Sequence, residues 1–199
     1  MTNQKNIPLI LLIILAALGI WSYIDAYDRS VWHVEMASVL TVGGLLVITY
    51  PFFKFSNTSY IIVSLWLAMH TIGAHYTFER VPFEWVSDLI GSSRNHYDRV
   101  AHFVIGLNSF CVAEWFQKTG KAKGLAACAF IGIIFIMAMA NAWELIEWAY
   151  AEIDGGSTGA TFLGSQGDIW DAQKDMLSDT LGAICAAVFF VWKNGLKKA

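Results

Sequence analysis

The sequence predicts an all-α fold: a polytopic transmembrane helical bundle of six spans, with both termini on the cytoplasmic side. Three observations predict it. The 199 residues are 56% hydrophobic and 15% charged, with a mean hydropathy of +0.50, too apolar for an ordinary soluble domain of this length. Apolar runs approaching the ~20 residues that cross a hydrocarbon core recur along the chain. The basic residues between those runs alternate in a way that only an even number of helices accommodates.

The first span is 7–24. Lys5 and the apolar run after it resemble a signal peptide, but WSYIDAYD is a poor cleavage site, so the run reads as a retained helix. The second and third spans, 34–53 and 57–76, are separated by Lys54, and the third contains His70 and His75. The fourth, 98–116, reaches crossing length only by drawing in Asp98 and Arg99. The fifth, 124–147, ends on Trp143-Glu144-Leu145-Ile146-Glu147. The sixth, 174–192, draws in Asp175 and Asp179. The whole chain, 1–199, reads as one integral membrane domain.

With six spans, Lys5, Lys54, the Lys118/Lys121/Lys123 group and the Lys193/Lys197/Lys198 tail fall on one side, cytoplasmic by the positive-inside rule. Of the 16 acidic residues, all but Glu114 fall in outer loops or outer helix halves, as do all five histidines. Acids contribute little to topology, so this bias needs another cause. Two outer connections, 75–95 and 150–169, are long enough to carry function or a lid. The second contains GGSTGATFLGSQGD, whose glycines permit close backbone approach to a ligand, although no phosphate-loop lysine follows.

Asp168, Asp171, Asp175, Asp179 and Gly182 are spaced to share one face of a helix. The dipole at a helix start explains the first two acids; the two nearer the bilayer need a cation, an arginine or protons among them. Glu144 and Glu147, at the expected C-terminal end of the fifth span, oppose the dipole and need a partner. Asp98 and His102 are one turn apart, an arrangement that orients an imidazole as a base or a metal ligand. His75 and Glu79 repeat that spacing. Histidine and carboxylate together suit a divalent metal: zinc, manganese or iron, with magnesium if carboxylates alone bind. Cys111, Cys128 and Cys185 show no CxxC spacing and read as small core residues. Ser92, Ser93 and Ser178 lack a nucleophile motif. The net charge of -3 gives no nucleic-acid footprint.

The segments DRVAHF, WELIEW and GDIWDAQKDMLSDTLGA, in this order, resemble the YjdF-like family of uncharacterised bacterial inner-membrane proteins over most of the chain. More distantly, the order Asp-x-x-x-His, Glu-x-x-Glu and Asp-x-x-x-Asp-x-x-Gly resembles VanZ-like membrane proteins. In that wider pattern the second glutamate is commonly Gln and the Asp179 position commonly Asn, so this chain is the more acidic version. The resemblance implies a multi-pass helical fold in the bacterial inner membrane, with outer-side polar positions at Asp98, His102, Glu144, Asp175, Asp179 and Gly182. It implies no established activity.

Three functions follow as expectations. The first is a metal-dependent hydrolase or transferase acting on a lipid or cell-envelope molecule at the outer face. In it His70, His75, His102, Glu144, Asp179 and Asp98 are the candidate metal ligands, Glu147 or Asp175 the base that takes a proton from water, and Arg99 the anchor for an anionic head group. The second is a non-catalytic envelope ligand- or metal-binding accessory protein. The third is a cation- or proton-coupled transporter, disfavoured because the inner halves of the spans lack ionisable residues. Membrane lipids are the expected surroundings in all three; the sequence leaves the oligomeric state open.

Overall fold

A computed structural model of the chain describes residues 6–154 and 156–196. Lys5, Lys197 and Lys198, which bear on the expected topology, and Gly155 of the glycine-rich segment lie outside the described residues. The described residues are helical with no strand. The order is α1 (Ile7–Tyr23), α2 (Arg29–Thr49), α3 (Asn57–Tyr76), α4 (Glu84–Ile90), α5 (Tyr97–Gly106), α6 (Ser109–Thr119), α7 (Leu125–Asp154), α8 (Ser157–Leu163) and α9 (Asp171–Gly195). Three of these, α2, α7 (as Leu125–Ile153) and α9, are long and apolar enough to cross a membrane by length and composition, and α1 is a shorter apolar helix of 17 residues.

Local signals start several helices. Asp28 caps α2 by accepting from the amides of Ser30 (2.8 Å) and Val31 (3.2 Å). Ser56 caps α3 through the Ser59 amide, and Thr77 ends that helix in the left-handed conformation. Leu9, Ile20, Ile48 and Val188 are among the large apolar side chains left exposed, as lipid contact allows and water does not.

The bundle is built around α9. Its buried stripe, Asp171, Asp175, Asp179, Gly182, Ala183, Ala186, Ala187 and Phe190, faces α5, α6 and α7. The spacing read from the sequence therefore describes a real face, except that Asp168 stands in the turn before the helix. Small residues let the backbones meet: a Cβ added to Gly106 would stand 2.2 Å from the carbonyl oxygen of Asp179, and one on Gly182 2.0 Å from that of Phe103. Gly182→Ala is expected to force α9 away from α5, destabilising the protein by roughly 1–3 kcal/mol. An unchanged thermal midpoint in detergent would show that this crossing has room for a methyl group.

Four features differ from the sequence reading. The segment expected as one span, 98–116, is two helices joined at Leu107-Asn108. The joint is not open, because Leu107, Asn108, Phe110 and Cys111 each donate to the carbonyl three residues back, at 3.2, 2.9, 3.1 and 2.9 Å. Such a tightened turn keeps the backbone satisfied inside a bundle. Helix α7 runs on past Glu147 to Asp154, since Trp148–Asp154 contains neither glycine nor proline. Glu144 and Glu147 therefore lie in the helix interior and not at its terminal dipole. The long connections 75–95 and 150–169 are partly helical, as α4 and as the end of α7 with α8.

The two ends of the bundle carry opposite chemistry. At one end Glu114, 5% exposed, accepts from the Ser56 amide (2.8 Å), the Ser56 hydroxyl (2.9 Å) and the Ser59 hydroxyl, and pairs with Lys118 at 2.7 Å. It serves the positive start of α3, which explains the one acid expected on that side. Lys118 also reaches the carbonyl of Lys54, and Lys193 the hydroxyl of Thr58. At the other end lie the histidines and the remaining buried acids.

Candidate functional site

An outer tier of this acidic end is neutralised by arginine and lysine. Arg99 Nη2 lies 2.5 Å from Asp171 Oδ1 and 3.3 Å from Asp168 Oδ2, while Nη1 rests against Asp175 Oδ1 and donates to the Asp171 carbonyl at 3.0 Å. Arg94 stands 2.6 Å from Asp171 Oδ1, and Lys174 2.6 Å from Asp168 Oδ2. The Lys174 hydrogen bond, with the Trp170 amide, holds the Asp168 carboxyl below its usual range. Nearby His96 is held below the usual imidazole range by desolvation first and by Arg94 and Arg99 second. Arg94 also ties this tier to the turn after α8, donating to the Ser165 carbonyl at 2.5 Å.

Beneath it lies a tier with too little positive charge. His102, on α5, has Nδ1 3.0 Å from Asp179 Oδ2 on α9. That contact fits a proton on Nδ1, so the ring in its neutral form keeps its lone pair on Nε2. Nε2 in turn lies 3.7 Å from Asp98 Oδ1 and 3.9 Å from Asp175 Oδ1. Asp98, His102 and Asp175 each offer a ligand-type atom, and these atoms lie within 4.8 Å of one another. For comparison, two ligands ~2.1 Å from one tetrahedral metal stand about 3.4 Å apart. The residues present therefore fit a small divalent ion after a minor inward shift. They resemble the carboxylate–histidine–metal arrangement in which a second carboxylate orients the ring.

A second pair, of which the sequence reading named His70 but not Glu35, joins this site from α2 and α3. Glu35 Oε2 lies 2.9 Å from His70 Nε2, with both residues under 5% exposed. The Ser38 hydroxyl donates to the Glu35 carbonyl at 2.7 Å and lies 3.1 Å from the same nitrogen, so it accepts the Nε2 proton. His70 Nδ1 is then a buried lone pair, and it has no partner among the described residues. The signal for Glu35 was available: an acid within an expected span is a functional candidate by default.

Glu35, His70, Asp98, His102 and Glu147 all line one cavity of about 20 Å³. That is room for an ion or one or two waters and not for a head group. Helix α8 closes it through Thr161, Phe162 and Leu163, with Phe162 4% exposed against Trp143 and Tyr150. The glycine-rich segment thus supplies a cover, and Gly164 (φ +58) turns the chain out of α8 where other residues would be strained. Glu144 has a buried Oε1 without a hydrogen-bond partner among the described residues. No arginine or lysine pairs with Glu35, Glu144, Glu147 or Asp179 among the described residues, and Arg94 reaches Asp98 only at 3.9 Å.

Two expected site residues stand elsewhere or are otherwise engaged. His75 is not brought to the cluster: its Nδ1 lies 3.0 Å from the Ser22 carbonyl and its ring 4.4 Å from that of Trp21, so it fastens α3 to α1. Arg99 is committed to three aspartates and leaves no free fork for an anionic head group.

A helical membrane protein with carboxylates and imidazoles enclosed at one end is the class this fold and site define. The chain belongs to the DUF2238 family, described as predicted membrane protein, whose match covers residues 7–195. It is 35% identical to Inner membrane protein YjdF of Escherichia coli (strain K12) over 173 residues, 85% of this chain and 82% of that relative. No solved structure matches the chain.

Proposed function

We propose that the chain is a six-span inner-membrane protein, N-terminus and C-terminus in the cytoplasm, that binds a divalent metal at its outer end and acts as a hydrolase or transferase on a lipid or cell-envelope molecule. Location in the inner membrane follows the relative's name, and the six crossings would be α1, α2, α3, the jointed pair α5–α6, α7 and α9. Gathering of Lys54, Lys118 and Lys193 at the end opposite the acids supports this orientation.

The observation that carries the site reading is His102: Asp179 holds one ring nitrogen while the other lies toward Asp98 and Asp175 in a tier deficient in positive charge. One histidine with carboxylates suits zinc, manganese or iron, and magnesium where oxygen ligands dominate. Bound there, such an ion supplies Lewis-acid polarisation and water activation. Asp179 orients the imidazole. In this reading Glu147 takes the proton, supported by its lining the same cavity without an ion pair among the described residues. Asp175, read from the sequence as a base, is better suited here as a ligand shared with Arg99.

The closed, ion-sized cavity favours a second reading, an ion-binding accessory protein without turnover. Conduction has less support, because the space beyond the site is apolar. Turnover decides between the first two: purified protein with an extract of bacterial envelope lipids is expected to release a product, stopped by chelator, restored by metal and lost in Glu147→Gln. Metal bound with no metal-dependent product from any lipid fraction would favour the accessory reading.

A further inference from the structure

A second space of about 760 Å³ adjoins the polar cavity, and His70 and His102 line both. It runs between α2, α3, the jointed pair α5–α6 and α7, and its walls are apolar over most of their length, with Val42 and Leu46 on one side and Ile136 and Met139 on another. Helix α2 packs on α3 and α8, while Thr41 and Leu45 of α2 and Met139 and Ile146 of α7 line the space yet remain exposed. The space is therefore a groove that opens sideways between α2 and α7. Along α3 it extends from Ser59, at the Glu114 end, to His70, a rise of about 16 Å, roughly half of a ~30 Å hydrocarbon core and so a length suited to one acyl chain.

Its polar end is unfinished. Trp66 Nε1, His70 Nδ1 and Asp179 Oδ1 all belong to lining residues, and all are buried without a hydrogen-bond partner among the described residues. His70 and Asp179 are 4% and 1% exposed. Each such group destabilises an apolar site until a partner arrives. Water would satisfy that end but not the apolar length below it. An occupant that offers an acceptor oxygen to Trp66 Nε1 and an O–H or N–H donor to His70 Nδ1, with hydrocarbon beyond, satisfies both.

We propose that this groove takes one hydrocarbon chain of a membrane lipid, which enters from the bilayer between α2 and α7 and brings an acceptor oxygen of its linkage to Trp66 Nε1 and a hydroxyl or amide N–H to His70 Nδ1, beside the Asp98–His102 cavity. The inference rests on the functional reading above and adds the substrate class: a chain-bearing lipid, delivered laterally and without opening α8, whose hydrocarbon runs from His70 toward Ser59. A soluble envelope sugar has no use for the groove.

The test uses full-length protein in phospholipid nanodiscs containing a phospholipid with a photoactivatable diazirine on one acyl chain. Cross-links are expected on peptides carrying Val42, Ile136 and Met139, saturable by unlabelled phospholipid. Thr41→Trp and Met139→Trp, at exposed lips of the groove away from the acids, are expected to lower that labelling about tenfold. Labelling at lipid-facing Ile13 and Val188 should stay unchanged. Equal, unsaturable labelling on groove and outer faces, or labelling unaffected in both folded tryptophan variants, overturns the proposal. Metal content of the same samples separates the two readings. Metal retained without groove labelling sinks the lipid inference alone; groove labelling without metal sinks the metal reading and supports the lipid site.

Discussion

Arg99→Ala is expected to destabilise the protein by about 3 kcal/mol or more, the magnitude seen when one member of a buried ion pair is removed and the other is left behind. Three aspartates touch this guanidinium, but they do not lose equally. Asp168 keeps Lys174, and Asp171 keeps Arg94. Asp175, 3% exposed, has no other arginine or lysine among the described residues. The damage therefore concentrates there, and Arg99→Ala/Asp175→Ala should recover much of the lost stability, because removing both partners leaves no orphan charge. Arg99→Lys should rescue only in part, since one ammonium cannot span Asp171 and Asp175 as the fork does. Thermal unfolding in detergent, followed by tryptophan fluorescence, reads all three variants. A double variant no more stable than Arg99→Ala would refute the assignment of Asp175 as the residue that needs Arg99.

Asp179→Asn is expected to weaken metal binding about tenfold, and Asp179→Leu about a hundredfold, the range found for groups that orient a ligand without touching the metal. Asparagine keeps an oxygen that accepts the Nδ1 proton of His102 but loses the charge that makes the ring a better ligand. Leucine loses both and frees the ring to rotate. Competition with a calibrated chelator measures each constant. Affinity should also fall as pH falls, because Nε2 of His102 and the Asp98 and Asp175 carboxylates must shed protons to bind. Equal affinity in all three proteins would make Asp179 a packing residue and nothing more.

Parts of the site were legible because helical spacing survives in any environment. Asp171, Asp175, Asp179 and Gly182 recur every three or four residues, and the face they predict is the one buried against α5. Asp98 and His102 were legible for the same reason. Glu35 was harder: one acid near the start of an apolar run looks like an interface residue, and only the approach of His70 from another helix shows its burial. His75 misled through spacing, since its distance from Glu79 resembles a ligand pair while its ring stacks on Trp21 from α1. The length of α7 was misread because hydropathy falls at Glu144 while helix propensity does not. The joint at Leu107-Asn108 carries no proline, and a turn of three-residue hydrogen bonds leaves little mark on composition. The groove could not be read at all, because it is made by what α2 and α7 leave unfilled.

The most direct test of the metal site is anomalous X-ray scattering from crystals of the full-length protein grown with zinc or manganese. The account predicts one peak within about 2.0–2.3 Å of His102 Nε2 and of a carboxylate oxygen from each of Asp98 and Asp175. Well-ordered crystals grown with excess metal that show no peak there, or peaks only at the exposed outer tier around Asp168, would contradict it.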